Sequence, residues 1–600
     1  MPVIDEVQDV AREGARDAAP GPLLLGPLLR YVDGTSASVW VETRAPAAVR
    51  VEVDLPGGGT GGGSTRTLAL HGHHFALVVV RGLPAGRRLP YRVLVDEGAG
   101  ERAAWPPPAP GWSWPPSEIR TPAPGADLRL GFGSCRRAGD DGAESVRLVG
   151  VDALSALARR MVDEHGAEER WPDLLLFVGD QVYADDPTPA TKERLRERHR
   201  TGPDAGGDVR EEIGDFEEYT WLYHETWGPE AVRWLLSTVP TCMLLDDHDL
   251  RDDWNTSDAW RREVSRQPWW RDRVAGAFAS YWVYQHLGNL SPDELDTDDL
   301  LARLRAEPDD AARDRLLDAF ALGADADPPS ARWSFARDLG PARLVAVDSR
   351  CARQLEPGRR RITDEAEWRW VREQALGAQD AGRGDGPARH LLLATTLPVF
   401  LLHGVHHAEG FDEAVADGVW GARAAGWAEK LRQAADLEHW SAFRTSFADL
   451  VRLLADVGEG PRPPASVLVL SGDVHCSYTA RVRLPGAGPG APAVHQLVMS
   501  PFRNPLSRGV RAANRLLDSR PARALTRALA AAAGVREPAV SWEVERGPWF
   551  ANGVMTVVLG RDGTADVEVD HAVLEGGRQR LRRTLRDRLS APGRERVTSA

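Results

Sequence analysis

Three short segments of the chain end in the same kind of chemistry. They are Asp173 to Tyr183, Met243 to Asp249 and Val467 to His475. Each is an apolar run of strand length that stops at a cluster of Asp, His or Tyr. In an open α/β sheet, ligands bind beyond the carboxyl ends of the strands. Three strands that deliver carboxylates and imidazoles to one edge can build a metal site that no local motif builds alone. A fourth segment, Leu128 to Cys135, has the same form and delivers a thiol.

Each cluster has a bland reading beside the chemical one. Asp180, just after a buried run, can bridge two cations or cap the next helix. Tyr183, three residues on, can offer a phenolate to a hard trivalent metal or simply pack. Asp246, Asp247, Asp249, Asp252 and Asp253 put five carboxylates within eight residues. They repel one another unless a cation lies between them, and the apolar lead-in Val239 to Leu245 disfavours a solvated tip. His248 is the natural general acid, because imidazole titrates near neutral pH. Asp473 and His475 stand at i and i+2, on one face just past a strand, and both types are ligands of iron, zinc or manganese. Cys135 is either a core residue or a thiolate ligand. Cys242 and Cys476 are expected in the core, and Cys351 has no assigned role. Arg350 and Arg136 are either clamps for phosphate oxygens, since guanidinium matches that geometry, or partners in structural ion pairs.

The elements that must position these groups fall into two styles. Residues 22–98 read as short strands separated by turns, which predicts a β-sandwich of immunoglobulin or fibronectin type. Residues 99–126, rich in Pro and Trp, read as an extended linker, because proline cannot donate within a sheet. From 127 to 575 strands alternate with helices, an α/β pattern with helical insertions at about 190–330 and 503–535. Residues 293–327, acidic and helix-prone, read as a solvated insertion. Residues 554–569 read as a closing hairpin, and 577–600 as a basic, mobile tail. His71, His73 and His74 lie near one turn of the sandwich and read as surface residues. The sandwich is expected to contribute stability but no catalytic group.

The motifs Gly133-Ser134-Cys135, Gly179-Asp180-Gln181-Val182-Tyr183-Ala184-Asp185, Asp246-Asp247-His248-Asp249 with Asp252-Asp253-Trp254, Val347-Asp348-Ser349-Arg350 and Ser471-Gly472-Asp473-Val474-His475 occur in that order. On these the chain resembles the PhoD-like metallophosphatases, the alkaline phosphatase D group of the calcineurin-like phosphoesterases, over about residues 22–575. The resemblance implies a four-layer αββα catalytic core behind the sandwich. It implies Fe3+ held by Cys135, Asp180, Tyr183 and His475, with Asp180 bridging to Ca2+. Asp246 or Asp247, Asp253 and Asp473 would complete the calcium side; other divalent metals are compatible. The position aligned as Asp253 is often Asn in relatives. The implied activity is phosphomonoester or phosphodiester hydrolysis, with metal-activated hydroxide attacking phosphorus in line and His248 protonating the leaving group.

Composition narrows the alternatives. The formal net charge of −14 argues against a general nucleic-acid binder. Four dispersed cysteines without a CxxC pair argue against a disulfide scaffold. No apolar run is long enough to span a bilayer. The first residues lack a secretory or twin-arginine pattern, so the expected location is cytoplasmic unless a leader was removed. The expected partner is a small phosphoester. The competing class is a catalytically silent scaffold on the same fold, using the arginines at 508–527 against an anionic membrane surface; a solvated helix face is the plainer reading of those arginines.

Overall fold

The computed structural model describes residues 21–108, 112–140, 142–166, 170–201, 211–380, 384, 386–488, 490–506 and 519–589. Arg508, Arg511 and Arg515 of the basic stretch lie outside them, as does the tail beyond 589.

Period-two burial sets the layers of the catalytic core. In the strand Leu174–Val178, Leu174, Leu176 and Val178 face one apolar cluster while Leu175 and Phe177 face another. The strand Ser466–Ser471 does the same, with Leu468 and Leu470 on one side and Val467 and Val469 on the other. The shared cluster lies between two sheets. One has six strands in the order Thr241–Leu244, Leu174–Val178, Leu128–Gly133, Gly553–Leu559, Ala565–Glu575, Arg578–Arg588. The other has seven, with Ala342–Ala346, His390–Ala394, Ser466–Ser471 and Ala493–Val498 parallel at its centre. Helices cover both outer faces: Ala153–Asp163 on the first sheet, Glu365–Leu376 and Arg444–Glu459 on the second. This is the expected αββα stack. Parallel strands buried on both faces explain why they read as unbroken apolar runs.

The sandwich forms from a four-stranded and a five-stranded antiparallel sheet around Val39, Val41, Val51, Val78, Val93 and Trp105. Its extent corrects the expected linker. Arg102–Trp105 and Glu118–Arg120 are strands paired with Arg88–Asp96, so the sandwich runs on to residue 120. Prolines flank these strands and take no central ladder position.

Two other expectations fail for the same reason, a charged run read as solvated. The helices Pro292–Thr297, Asp299–Ala306 and Asp310–Ala326 bury Leu295, Leu300, Leu301, Leu304 and Leu317 and tie to the sandwich, through Arg81 to Asp296 at 2.6 Å and Arg313 to the Ala69 carbonyl at 3.2 Å. The expected tail at 577–600 begins instead as the strand Arg578–Arg588. Its arginines face the acidic neighbouring strand, Arg583 on Asp570 and Arg588 on Asp566, each at 2.8 Å.

The two domains share one core. Leu25, Leu28, Trp40, Leu70 and Phe75 of the sandwich join Phe177, Trp234, Met243 and Trp282 in a single buried cluster. Arg30, fully buried, donates to the Tyr284 and Gln285 carbonyls at 2.6 Å. Glu42, also fully buried, is met by His73 at 2.8 Å, His224 at 2.7 Å and the Tyr284 hydroxyl at 2.9 Å, and His73 reaches on to Glu217 at 2.7 Å. His73 is therefore a bridge between domains. His71 likewise pairs with Asp318 at 3.0 Å.

Candidate metal centre

Cys135, Asp180, Asp246 and Asp473 all lie at most two residues beyond the carboxyl end of a parallel strand. The chain turns sharply there. Seven non-glycine residues among those described have positive φ: His71, Cys135, Asp180, Asp253, Asp436, Asp473 and His475. Four of the seven, Cys135, Asp180, Asp473 and His475, follow the strand ends at this edge. Left-handed backbone costs an ordinary side chain free energy, so its concentration here means the surrounding structure forces these side chains inward. Glycines give the room. A Cβ on Gly179 would lie 2.2 Å from Asp246 Oδ2, and one on Gly472 would lie 2.1 Å from Ser134 Oγ.

The inward groups form two sets joined by one residue. Cys135, Asp180 and His475 offer ligand atoms within 4.8 Å of one another, as do Asp180, Asp246, Asp247 and Asp473. The Tyr183 hydroxyl lies 3.4 Å from Asp180 Oδ2 and receives a bond from Asn504 at 3.1 Å. Asp180 Oδ1 and Asp246 Oδ2 are buried and have no hydrogen-bond partner. A buried carboxylate oxygen calls for a partner, which a cation or an ordered water can supply.

The electrostatics agree. Burial, then the neighbouring carboxylates, push Asp180 well above the usual range. Burial also lifts Asp246 well up, and Asp473 to about 8, although Arg350 opposes both. Burial and the carboxylates of Asp180 and Asp473 push the Cys135 thiol up, against two hydroxyl contacts, from Ser134 at 3.0 Å and Ser500 at 3.1 Å. Burial holds His475 neutral, with its pKa near 3. A neutral imidazole is the ligand form of histidine, and a cation would draw the protons from the thiol and the carboxylates. The residues present therefore fit metal ions. The first set mixes sulfur, nitrogen and oxygen; the second is all oxygen.

His248 stands beside both sets. Its Nδ1 lies 2.9 Å from Asp185, and its ring lies 4.5 Å from the ring of Tyr183. Burial disfavours its charge, but Asp185 outweighs burial and holds the imidazole pKa well above its ordinary value. Asp185, His248 and Asp252 make a third, more open set.

Other expected residues fall differently. Asp253 is outside the four-carboxylate set; it accepts from Thr256 at 3.1 Å, and burial with Glu438 and Asp436 raises it to about 9. Arg350 is fully buried inside the second set, bound to Asp246, to Asp473 and Glu438 at 2.6 Å and to Asp247 at 3.3 Å. These contacts fit the ion-pair reading of Arg350. Arg136 is also an ion-pair residue: it is 2% exposed and bound to Asp152 at 2.6 Å and to the Thr226 hydroxyl at 2.8 Å. Cys242, Cys351 and Cys476 are buried in apolar clusters, none of them in a metal set.

Sequence reasoning missed Asp185 as the partner of His248, although it stands in the quoted motif. It missed Arg137, 29% exposed, whose guanidinium lies 5.6 Å from the Tyr183 ring centre and 2.6 Å from Asp186. It also missed Asp436 and Glu438. Glu438 follows no apolar strand, and nothing in its neighbourhood of sequence marks it.

The family model described as PhoD-like phosphatase matches residues 159–305, and a domain of unknown function, DUF7800, matches residues 21–119. The second match spans the sandwich as it folds, from residue 21 into the strand Glu118–Arg120. Among solved structures, one described as the structure of PhoD aligns at 14% identity with a TM-score of 0.57, covering 96% of this chain and 93% of that one. A cyclomaltodextrinase aligns at 11% identity over 92% of this chain and 90% of its own, with a TM-score of 0.16, too low to carry an argument. No curated protein is similar enough to count as a match. The chain thus has the fold of PhoD over nearly its whole length, and the PhoD-like phosphatase model matches the segment that supplies Asp180, Tyr183, Asp246, Asp247 and His248.

Proposed function

We propose that this protein is a metal-dependent phosphoester hydrolase. The observation that carries the reading is the pair of ligand sets joined at Asp180, with buried carboxylate oxygens lacking hydrogen-bond partners. Cys135, Asp180 and His475, with Tyr183 beside them, would hold the first metal. Sulfur, imidazole and phenolate donors suit iron. Asp180, Asp246, Asp247 and Asp473 would hold the second, and an all-oxygen set suits Ca2+. When bound, such ions neutralise phosphate oxygens and make water a nucleophile near neutral pH.

The chain's own groups do the rest. His248 holds a proton through its bond to Asp185, which leaves Nε2 as the atom that hands a proton to the leaving alkoxide. Asp185 orients the ring, as a carboxylate does behind a catalytic imidazole. Arg137, partly exposed beside Tyr183, is placed to bind a phosphate oxygen. Arg350 offsets the charge of Asp246, Asp247 and Asp473 and fixes their positions. Hydrolysis of a phosphomonoester and of a phosphodiester by protein stripped of metal, then reloaded with iron and calcium, tests the reading. Restored turnover of either supports it. A reloaded protein that retains both ions and cleaves neither ester overturns it.

A further inference from the structure

The helix Ala422–Ala434 is inside out. The residues it turns inward are small: Ala428 is buried, and with partly buried Ala424 it packs on Ala414 and Val415 of the helix His403–Ala416 and on Ala533. Its one buried charge, Arg432, is paired inward with Glu429 at 3.0 Å and Asp412 at 3.4 Å. Its largest apolar residues point to water. Trp427 is 75% exposed and Leu431 49%, and in the turn before the helix Val419 is 56% and Trp420 48% exposed. A helix that serves only its own fold places its apolar side chains the other way.

This exposure is concentrated. Seven large apolar residues are exposed among those described: Leu148, Val419, Trp420, Trp427, Leu431, Leu525 and Leu574. Four of them fall between 419 and 431. Trp420 is anchored edge-on to Phe411, with ring centres 5.2 Å apart, and so is held at the surface by packing. From Val419 to Ala434 every exposed side chain is apolar, small or basic. The basic ones are Arg423 and Lys430, and the Lys430 ammonium lies 5.4 Å from the Trp427 ring centre. No exposed acid interrupts the face, on a chain whose net charge is −14. The helix Arg520–Ala532, which packs on the same helix His403–Ala416, adds Leu525, 61% exposed, with exposed Arg520, and Arg527 paired to Glu537 at 2.7 Å.

The same helix leads into the metal centre. Gln433 donates to Ser257 Oγ at 3.2 Å, and Glu438, seven residues beyond Leu431, pairs with Arg350. We propose that the outward face of residues 419–434 docks on an anionic lipid bilayer and brings the mouth of the metal centre to the level of the headgroups. Tryptophan with flanking Arg or Lys is the composition that lies in the membrane interface plane. The basic residues supply attraction to anionic headgroups. No helix among the described residues is long and apolar enough to cross a membrane, so the contact is peripheral. The proposal goes beyond hydrolysis and does not depend on it.

The test is co-sedimentation of the full-length protein with vesicles of phosphatidylcholine alone and of phosphatidylcholine with phosphatidylglycerol, at low and high salt. Binding to the anionic vesicles, weakened by salt, is expected. Trp427→Ser with Leu431→Ser should weaken partitioning by about tenfold or more, and Arg423→Glu with Lys430→Glu should abolish the preference for anionic lipid. All four residues are exposed and outside the metal centre, so both variants should hydrolyse a water-soluble phosphoester like the parent. The proposal is overturned if the protein fails to bind anionic vesicles, or if both variants bind as the parent does. It is also overturned if light scattering shows a dimer that the Trp427 variant dissociates and that does not bind vesicles; the face would then be covered by a second copy of the chain.

Discussion

Raising the pH should loosen the sandwich from the catalytic domain through one residue, His73. Burial opposes its charge, yet Glu217 and Glu42 outweigh burial and bring its pKa up to about 9, against an ordinary value of 6.5. A group whose pKa is raised on folding contributes stability that is complete below the unfolded value and is lost as pH rises through the folded one. The window is therefore pH 6.5 to about 9. The rise from 6.5 to about 9 is worth about 3.5 kcal/mol at about 1.4 kcal/mol per pH unit. His73 is itself 13% exposed and Glu217 42% exposed, so solvent screening reduces this to about 1–2 kcal/mol. The carboxylates act in the other direction: burial would raise Glu42, but its bonds to His224 and His73 bring it below the ordinary value. Their contribution is present through this whole window and is lost only in acid. Urea unfolding of the parent and of His73→Gln at pH 6 and at pH 9.5 reads the effect. The parent should be about 1–2 kcal/mol more stable than the variant at pH 6, and the two should converge at pH 9.5. A gap that stays the same at both pH values would refute the bridge as an ion pair.

Within the centre, His248→Ala should lower kcat by roughly 10²–10⁴-fold while the metals stay bound, and Asp185→Asn should lower it less; a His248 variant that loses metal would make the residue a ligand. Tyr183→Phe should remove a visible phenolate-to-iron absorption band without unfolding the protein; an unchanged spectrum in an iron-loaded, active variant would take Tyr183 out of the site. Gly179→Ala should abolish turnover, because its Cβ would meet Asp246 Oδ2 at 2.2 Å on a backbone with φ of +115°; activity within twofold of the parent would show that the Asp246 contact is not tight.

The residues at strand ends were legible in the sequence because burial on both faces makes a parallel strand an unbroken apolar run, and the run's end marks the edge. Asp180, Asp246 and Asp473 were found that way, and Cys135 with them. Glu438 and Asp436 were not, because they come from the connection after a helix whose own pattern points its tryptophan to water. Asp185 stood in plain view, but only the fold shows that it faces His248 from a neighbouring loop. The strand Arg578–Arg588 hid behind its charge, since a run of arginines reads as solvated until Asp566, Glu568 and Asp570 of the adjacent strand come alongside. The strands at 102–105 and 118–120 hid behind prolines that in fact flank them. His73 read as a surface turn residue because its partners Glu217 and, through Glu42, His224 are more than a hundred residues away.

In the proposed centre, Asp180 would join the two metal sets. Elemental analysis of the purified protein and of Asp180→Ala, with phosphoester turnover measured on the same samples, tests it most directly. Iron and calcium are expected together in the parent, with loss of both ions and of turnover in the variant while the protein stays folded. An Asp180→Ala protein that keeps its metals and hydrolyses the ester at the parent's rate would contradict it.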